Sequence, residues 1–157
     1  INIDADQITY LINDEKIFTL GKTFAEIQPN YKFISQDVIF LKDEMKLSSS
    51  KKTIITDNQF SLYELGSFDY QIEKEFLKGT DISIIENSNL PNSESDEYFF
   101  VNGFFDLKNQ NFKTGEAKIK LKKKIFGKTD NDPRIYGHLY QKKMEFHLLK
   151  KLSLQVV

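Results

Sequence analysis

The chain has 157 residues, with 22 Lys and Arg against 23 Asp and Glu and no Cys. That length supports one domain, the balanced charge offers no bulk attraction for a nucleic acid, and the lack of cysteine excludes a disulfide scaffold or a thiolate metal site within this segment. No run of about 18 apolar residues exists to span a bilayer as a helix, no secretory leader is visible, and a start at Ile1 points to a mature domain or a cut piece.

From the N-terminus, three copies of one unit align at an offset of 30 residues. Ile8, Val38 and Phe68 correspond, followed by Tyr10, Phe40 and Tyr70, then Ile17, Leu47 and Leu77. Thr23, Thr53 and Ser83 come next, each before an apolar residue: Phe24, Ile54 and Ile84. Within each copy a short alternating run, such as Val38-Ile39-Phe40, reads as a strand. A polar cluster then marks a turn: Asn13-Asp14-Glu15, Lys42-Asp43-Glu44 and Glu73-Lys74-Glu75. A second run rich in β-branched and aromatic residues follows each turn, so each unit predicts a strand pair.

The alternation slips by one residue in the same place twice. Ile3 and Ala5 share one phase and Ile8 and Tyr10 the other; Phe33 and Ser35 then Val38 and Phe40 repeat the slip. A one-residue slip predicts a bulge or corner, which lets one strand cross from one sheet to a facing one. The expectation is therefore an all-β fold of repeated strand pairs, with two facing sheets around an apolar interior.

Residues 87–97 are a polar loop, and strands resume at Tyr98-Phe99-Phe100-Val101 and Phe104-Phe105-Asp106-Leu107, where a fourth copy starts in an unfixed register. Further on, Lys118, Lys120 and Lys122 alternate with Ile119 and Leu121. One reading of this strand is an anionic partner such as lipid phosphates. The favoured reading is an edge strand whose lysines block edge-to-edge pairing.

The sequence offers no catalytic constellation. His138 and His147 stand nine residues apart without a cysteine or acidic triad nearby, and ordinary exposed or core histidines are the expectation. No Gly-rich phosphate loop, nucleophile elbow or zinc-protease string occurs. Asp and Glu fall mostly at turns, and nothing selects a carboxylate pair for glycoside hydrolysis. The reading is no enzyme, no cofactor and no metal.

Ala5-Asp6-Gln7-Ile8-Thr9-Tyr10 resembles the A-D-x-I-x-Y strand signature of OstA-like domains, found in lipopolysaccharide transport proteins of Gram-negative envelopes. Phe112-Lys113-Thr114-Gly115, the basic strand, Ile125-Phe126-Gly127 and Asp132-Pro133-Arg134-Ile135-Tyr136-Gly137 are similar to the N-terminal periplasmic domain of the LPS-assembly outer-membrane family LptD, the organic solvent tolerance proteins. The resemblance covers residues 1–139. The repeat signature alone is shared with the bridge and anchor components of the same pathway, and the D-P-R stretch is what points to LptD. The resemblance implies an OstA-like β-jelly roll in the periplasm, at the inner face of the outer membrane. Its groove would hold the acyl chains of lipid A and be lined by Ile8, Tyr10, Phe24, Val38, Phe40, Ile54, Phe68, Tyr70 and Ile84. It also implies a periplasmic bridge protein pairing with an edge strand at Ile3, Ala5, Ile8 and Thr9, and an outer-membrane lipoprotein as partner of the full-length protein. The competing class is a closed-core structural or protein-binding β domain. Phe40→Asp separates them: it is expected to abolish lipid binding without unfolding a conduit, and to unfold a dry core.

Beyond residue 139 the chain departs from that family, which runs into a V-F-T-S-C-like segment. Residues 144–157, back-translated with A/T-rich codons and read two bases along, yield V-F-T-S-C, so this tail reads as a frameshifted stretch. The competing reading is an amphipathic tail, since Tyr140, Met144, Leu148 and Leu152 recur every four residues.

Overall fold

A computed structural model describes residues 1–58, 60–89, 95–109, 111–121, 134–138 and 142–143. Among them every strand pairing is antiparallel, and the only helical element is one 3₁₀ turn at Ile12–Asp14. The strands are β1 (Asn2–Leu11), β2 (Lys16–Ile27), β3 (Tyr31–Gln36), β4 (Ile39–Leu41), β5 (Lys46–Ser49), β6 (Thr53–Thr56), β7 (Leu62–Leu65), β8 (Ser67–Gln71), β9 (Phe76–Ile85), β10 (Glu97–Asp106), β11 (Asn111–Thr114), β12 (Glu116–Lys120), β13 (Arg134–His138) and β14 (Lys142–Lys143).

Eight of these strands close an antiparallel ring, β9-β7-β6-β3-β2-β4-β5-β8 and back to β9, with β1 and β10–β14 as additions. The ring closes because the long strands β2 and β9 each serve two neighbours. β2 pairs with β4 through residues 16–18 and with β3 through residues 22–27. β9 pairs with β8 through residues 76–80 and with β7 through residues 83–85. The same division runs through β1 and β10, so each layer is one bent strand, and β3 with β4, β6 with β5 and β7 with β8 are such strands broken at the bend.

The bends lie where the phase slips predicted them. In β1 the register shifts between Ala5 and Gln7. Phe33, Ser35, Val38 and Phe40 are all buried, and the slip between them is absorbed at Asp37, whose φ is 49°. Further bends involve Gly21 (φ 78°) and Asp81 (φ 48°). Side chains brace them: the Lys22 N–H donates to Asp6 Oδ2 at 2.9 Å, and the Gly21 N–H donates to Asp37 Oδ1 at 3.0 Å. A Cβ at Gly21 would collide with the Asp6 carboxylate, so this corner needs glycine for space as well as for its φ.

Turns repeat as faithfully as corners. Glu15, Met45 and Glu75, thirty residues apart, all adopt the left-handed conformation with φ of 45°, 46° and 53°. Each closes its turn by donating to the carbonyl three residues back: Ile12, Lys42 and Ile72, at 3.3, 3.1 and 3.2 Å. The fourth copy begins its turn at Leu107, five residues late relative to that spacing, after the insertion of the polar loop.

The core is the interior of this ring and its continuation under β10–β12. Leu47, Ile55, Leu65, Tyr70, Leu77, Phe105 and Ile119 are almost fully buried there. Aromatic rings meet across it: Phe33 on β3 lies 5.4 Å from both Phe68 and Tyr70 on β8. Phe100 on β10 sits 6.0 Å from Phe112 on β11. Offset and tilted pairs of this kind add to the stabilisation from burial.

Two expectations change. The lysine strand β12 is no edge: it pairs with β10 on one side and β13 on the other. Ile119 and Leu121 face the core while Lys118 and Lys120 line the outer face, and Lys118 Nζ lies 5.4 Å from the Tyr136 ring. The polar loop is shorter than 87–97, because Glu97 already belongs to β10; its residues 90–94 lie outside the described residues. So do Phe126, Gly127, Asp132, Pro133 and residues 144–157, which carry parts of the LptD resemblance and the frameshift reading. Lys142–Lys143 form β14 against β11, so the segment just past residue 139 contributes to the sheet.

Candidate functional site

Strand alternation decides which groove candidates face inward. Val38, Phe40, Phe68, Tyr70 and Ile84 do, and all are buried between the sheets. Ile8 and Tyr10 share that orientation, since they stand directly opposite Thr19 and Ile17 of β2, which point into the interior. They are nevertheless 50% and 45% exposed. The reason is topological: among the described residues β1 pairs only with β2, and no further described layer covers its inward side chains. Ile3 and Ala5, one bend earlier on the same strand, are half-buried on the same inner side. The interior thus opens at β1.

Phe24 and Ile54 do not line it. They form an outward cross-strand row with Ile34, in the register Phe24↔Ile34↔Ile54. The inward slot beside each goes to the preceding hydroxyl. Thr23 Oγ1 donates to Thr19 Oγ1 at 2.7 Å, and Ser35 Oγ and Thr53 Oγ1 are 2.7 Å apart. Buried hydroxyls are tolerated because each finds a partner. The third copy is out of step: Asp81 in its left-handed conformation shifts the phase, so Ile82 and Ile84 face in and Ser83 faces out.

The residues proposed for the partner edge divide between the two faces of β1. Ile3, Ala5 and Ile8 face inward, whereas Thr9 points outward opposite Phe18. An exposed apolar collar that sequence reasoning missed surrounds this end: Leu11, Ile12 and Leu20 join Ile8 and Tyr10. Its signal was the hydrophobicity of residues flanking the first turn, which the repeat alignment did not cover.

The Tyr31 ring meets the Tyr70 ring edge-on at 6.2 Å. Burial, then the charges of Glu75 and Asp57, push the Tyr31 phenol up to about 12, so it stays a neutral hydroxyl. Tyr70 is wholly buried and its hydroxyl has no hydrogen-bond partner among the described residues. Burial pushes Glu86 up to about 7, the Asp96 charge adds to this, and the Tyr98 hydroxyl, 3.5 Å from Glu86 Oε2, opposes it.

The buried slots are apolar, and no group of three His, Cys, Asp or Glu residues among the described ones is placed to hold a metal. His138 lies in β13 and His147 lies outside the described residues. Phe40 is 6% exposed in the packed interior, so Phe40→Asp would bury an unpaired charge whatever the function; Tyr10 at the open end is the informative position. No model of a known protein family matches the chain, and a search of curated proteins returns no match.

Proposed function

We propose that this chain is a non-enzymatic lipid-conduit domain of a lipopolysaccharide-assembly system, an OstA-like β-jelly roll working in the periplasm at the inner face of the outer membrane. One observation carries the reading: Ile8 and Tyr10 point inward yet are half-exposed, on an edge strand that pairs on one side only. Acyl chains of lipid A lie against the inner side of β1 and β2, where each methylene removed from water contributes about 0.8 kcal/mol. The periplasmic bridge protein adds its terminal strand to the free edge of β1 and so continues the trough. An outer-membrane lipoprotein partner belongs to the same assembly. The jelly-roll description rests on two facing sheets joined through bent strands, and on the strand signature around Asp6.

A second reading, a closed-core structural or protein-binding domain, is favoured by the ring contacts of Phe33 with Phe68 and Tyr70, which fill the middle layers. The proposal therefore places acyl chains at the open end and not through the packed centre. Titration of the wild type and Tyr10→Asp with lipid A and a fluorescent fatty-acid probe separates the two. A conduit binds the probe and loses it in Tyr10→Asp at an unchanged melting temperature. A closed core binds neither before nor after the substitution.

A further inference from the structure

A cleft of about 760 Å³ lies between the start of β1, the β2–β3 hairpin and the chain after β6. Beside Ile27 and Tyr31, its lining contains a cross-strand row in continuous register: Asn2↔Glu26, Glu26↔Lys32 and Lys32↔Thr56, across β1, β2, β3 and β6. Neighbouring strands are about 4.8 Å apart, so the row offers a polar group at each step over about 14 Å. Gln28 and Asn30 of the hairpin and Asn58 stand at its margin. None of the four amides, Asn2, Gln28, Asn30 and Asn58, has a side-chain hydrogen bond among the described residues, and all four are exposed.

We infer that this cleft binds a short, neutral oligosaccharide. A primary amide presents a donor pair and an acceptor side by side, and a sugar presents hydroxyls that both donate and accept, so the two surfaces match in kind. The volume suits a small ligand. A pyranose ring with its glycosidic oxygen is about one strand spacing long, so the row takes about three rings in extended form. The charge pattern argues against a polyanion: the cleft has one side-chain cation, Lys32, and its Nζ lies 3.9 Å from Glu26 Oε1. Recognition of phosphates or sulfates calls for clustered Arg or Lys. The row lies on the outer face, since Asn2 alternates with the inward Ile3, so sugar binding is separate from lipid binding at the open end.

The test is a titration followed by NMR of the side-chain amides. The ligands are a β-1,4-linked glucose tetramer, an α-1,4-linked glucose tetramer, delipidated LPS core oligosaccharide and a sulfated heparin fragment of similar length. At least one of the first three is expected to shift the amides of Asn30 and Asn58 with a Kd of about 1 mM or tighter. Binding of a glucose tetramer would point to a free glycan, and binding of the core oligosaccharide alone to the head of a glycolipid. The double variant Asn30→Ala, Asn58→Ala is expected to weaken that binding by about tenfold at an unchanged melting temperature, because both side chains are exposed and unbonded. The inference is overturned if no ligand shifts these amides at about ten times that concentration, if the sulfated fragment binds more tightly than the neutral ones, or if the double variant binds as well as the wild type.

Discussion

The Lys42 N–H donates to the Glu15 carbonyl at 3.0 Å, joining the turn of one repeat to the turn of the next. The bond recurs from Ile72 to Met45 at 2.9 Å and from Leu107 to Glu75 at 3.0 Å. In each case the acceptor is the left-handed residue that ends a turn, and the donor opens the turn stacked upon it. The repeat is thus written into the backbone as a ladder of turns.

The ladder makes Glu75 a position where conformation and not contact sets the outcome. Its φ of 53° costs an L-residue energy that glycine avoids. Glu75→Gly is expected to gain about 0.5 kcal/mol, and Glu75→Val to lose about 1–2 kcal/mol because a β-branched residue fits that region worst. Urea unfolding of both variants checks the pair, and a loss on changing to glycine would show that the side chain's contacts outweigh its backbone.

Much of this plan was legible in the sequence, because period-two alternation and its slips report directly on which side chains face a core. Ala5 to Ile8 and Ser35 to Val38 located bends that the fold contains. The turn conformation was not legible, since Glu15, Met45 and Glu75 share a positive φ yet none is the glycine or asparagine that usually marks it. Phe24 and Ile54 were assigned to the interior because apolar residues usually go there, but Thr23 and Thr53 satisfy their hydroxyls within the core and leave the aromatic and aliphatic neighbours outside. β12 looked like an edge because its covering strand, β13, comes from a segment with no strong strand pattern of its own. The opening of the interior at Ile8 and Tyr10 depends on which layer is last, a fact of topology that local pattern does not encode.

Glu86 predicts a pH dependence. Its ordinary value of 4.5 is raised to about 7 in the folded domain, chiefly by burial. The native state therefore keeps a proton that the unfolded chain has released. The stabilisation is complete below pH 4.5 and is lost as pH rises toward about 7. After screening through the exposed part of the carboxyl, the change is on the order of 1–2 kcal/mol. Glu86→Gln should flatten this slope, as measured by urea midpoints at several pH values; a variant that keeps the wild-type slope would assign it to another group.

The proposed docking at the edge of β1 left unpaired among the described residues can be tested by site-specific crosslinking. Thr9 points outward on that strand, and Ile12 opens the first of the described turns. A photo-crosslinking residue at Thr9 is expected to capture the bridge protein in envelopes. The same residue at Ser48, outward-facing on β5 and flanked by paired strands on both sides, is expected to capture nothing. Equal capture at both positions would remove β1 as the docking strand.

The most direct measurement maps where a fatty chain sits. A diazirine-bearing fatty acid is photolysed with the intact domain and the modified residues are located by mass spectrometry. Saturable labelling at Ile3, Ile8, Tyr10 and Ile17 is the predicted result. Labels confined to the outer row of Phe24, Ile34 and Ile54, or labelling that never saturates, would contradict an acyl-binding interior open at β1.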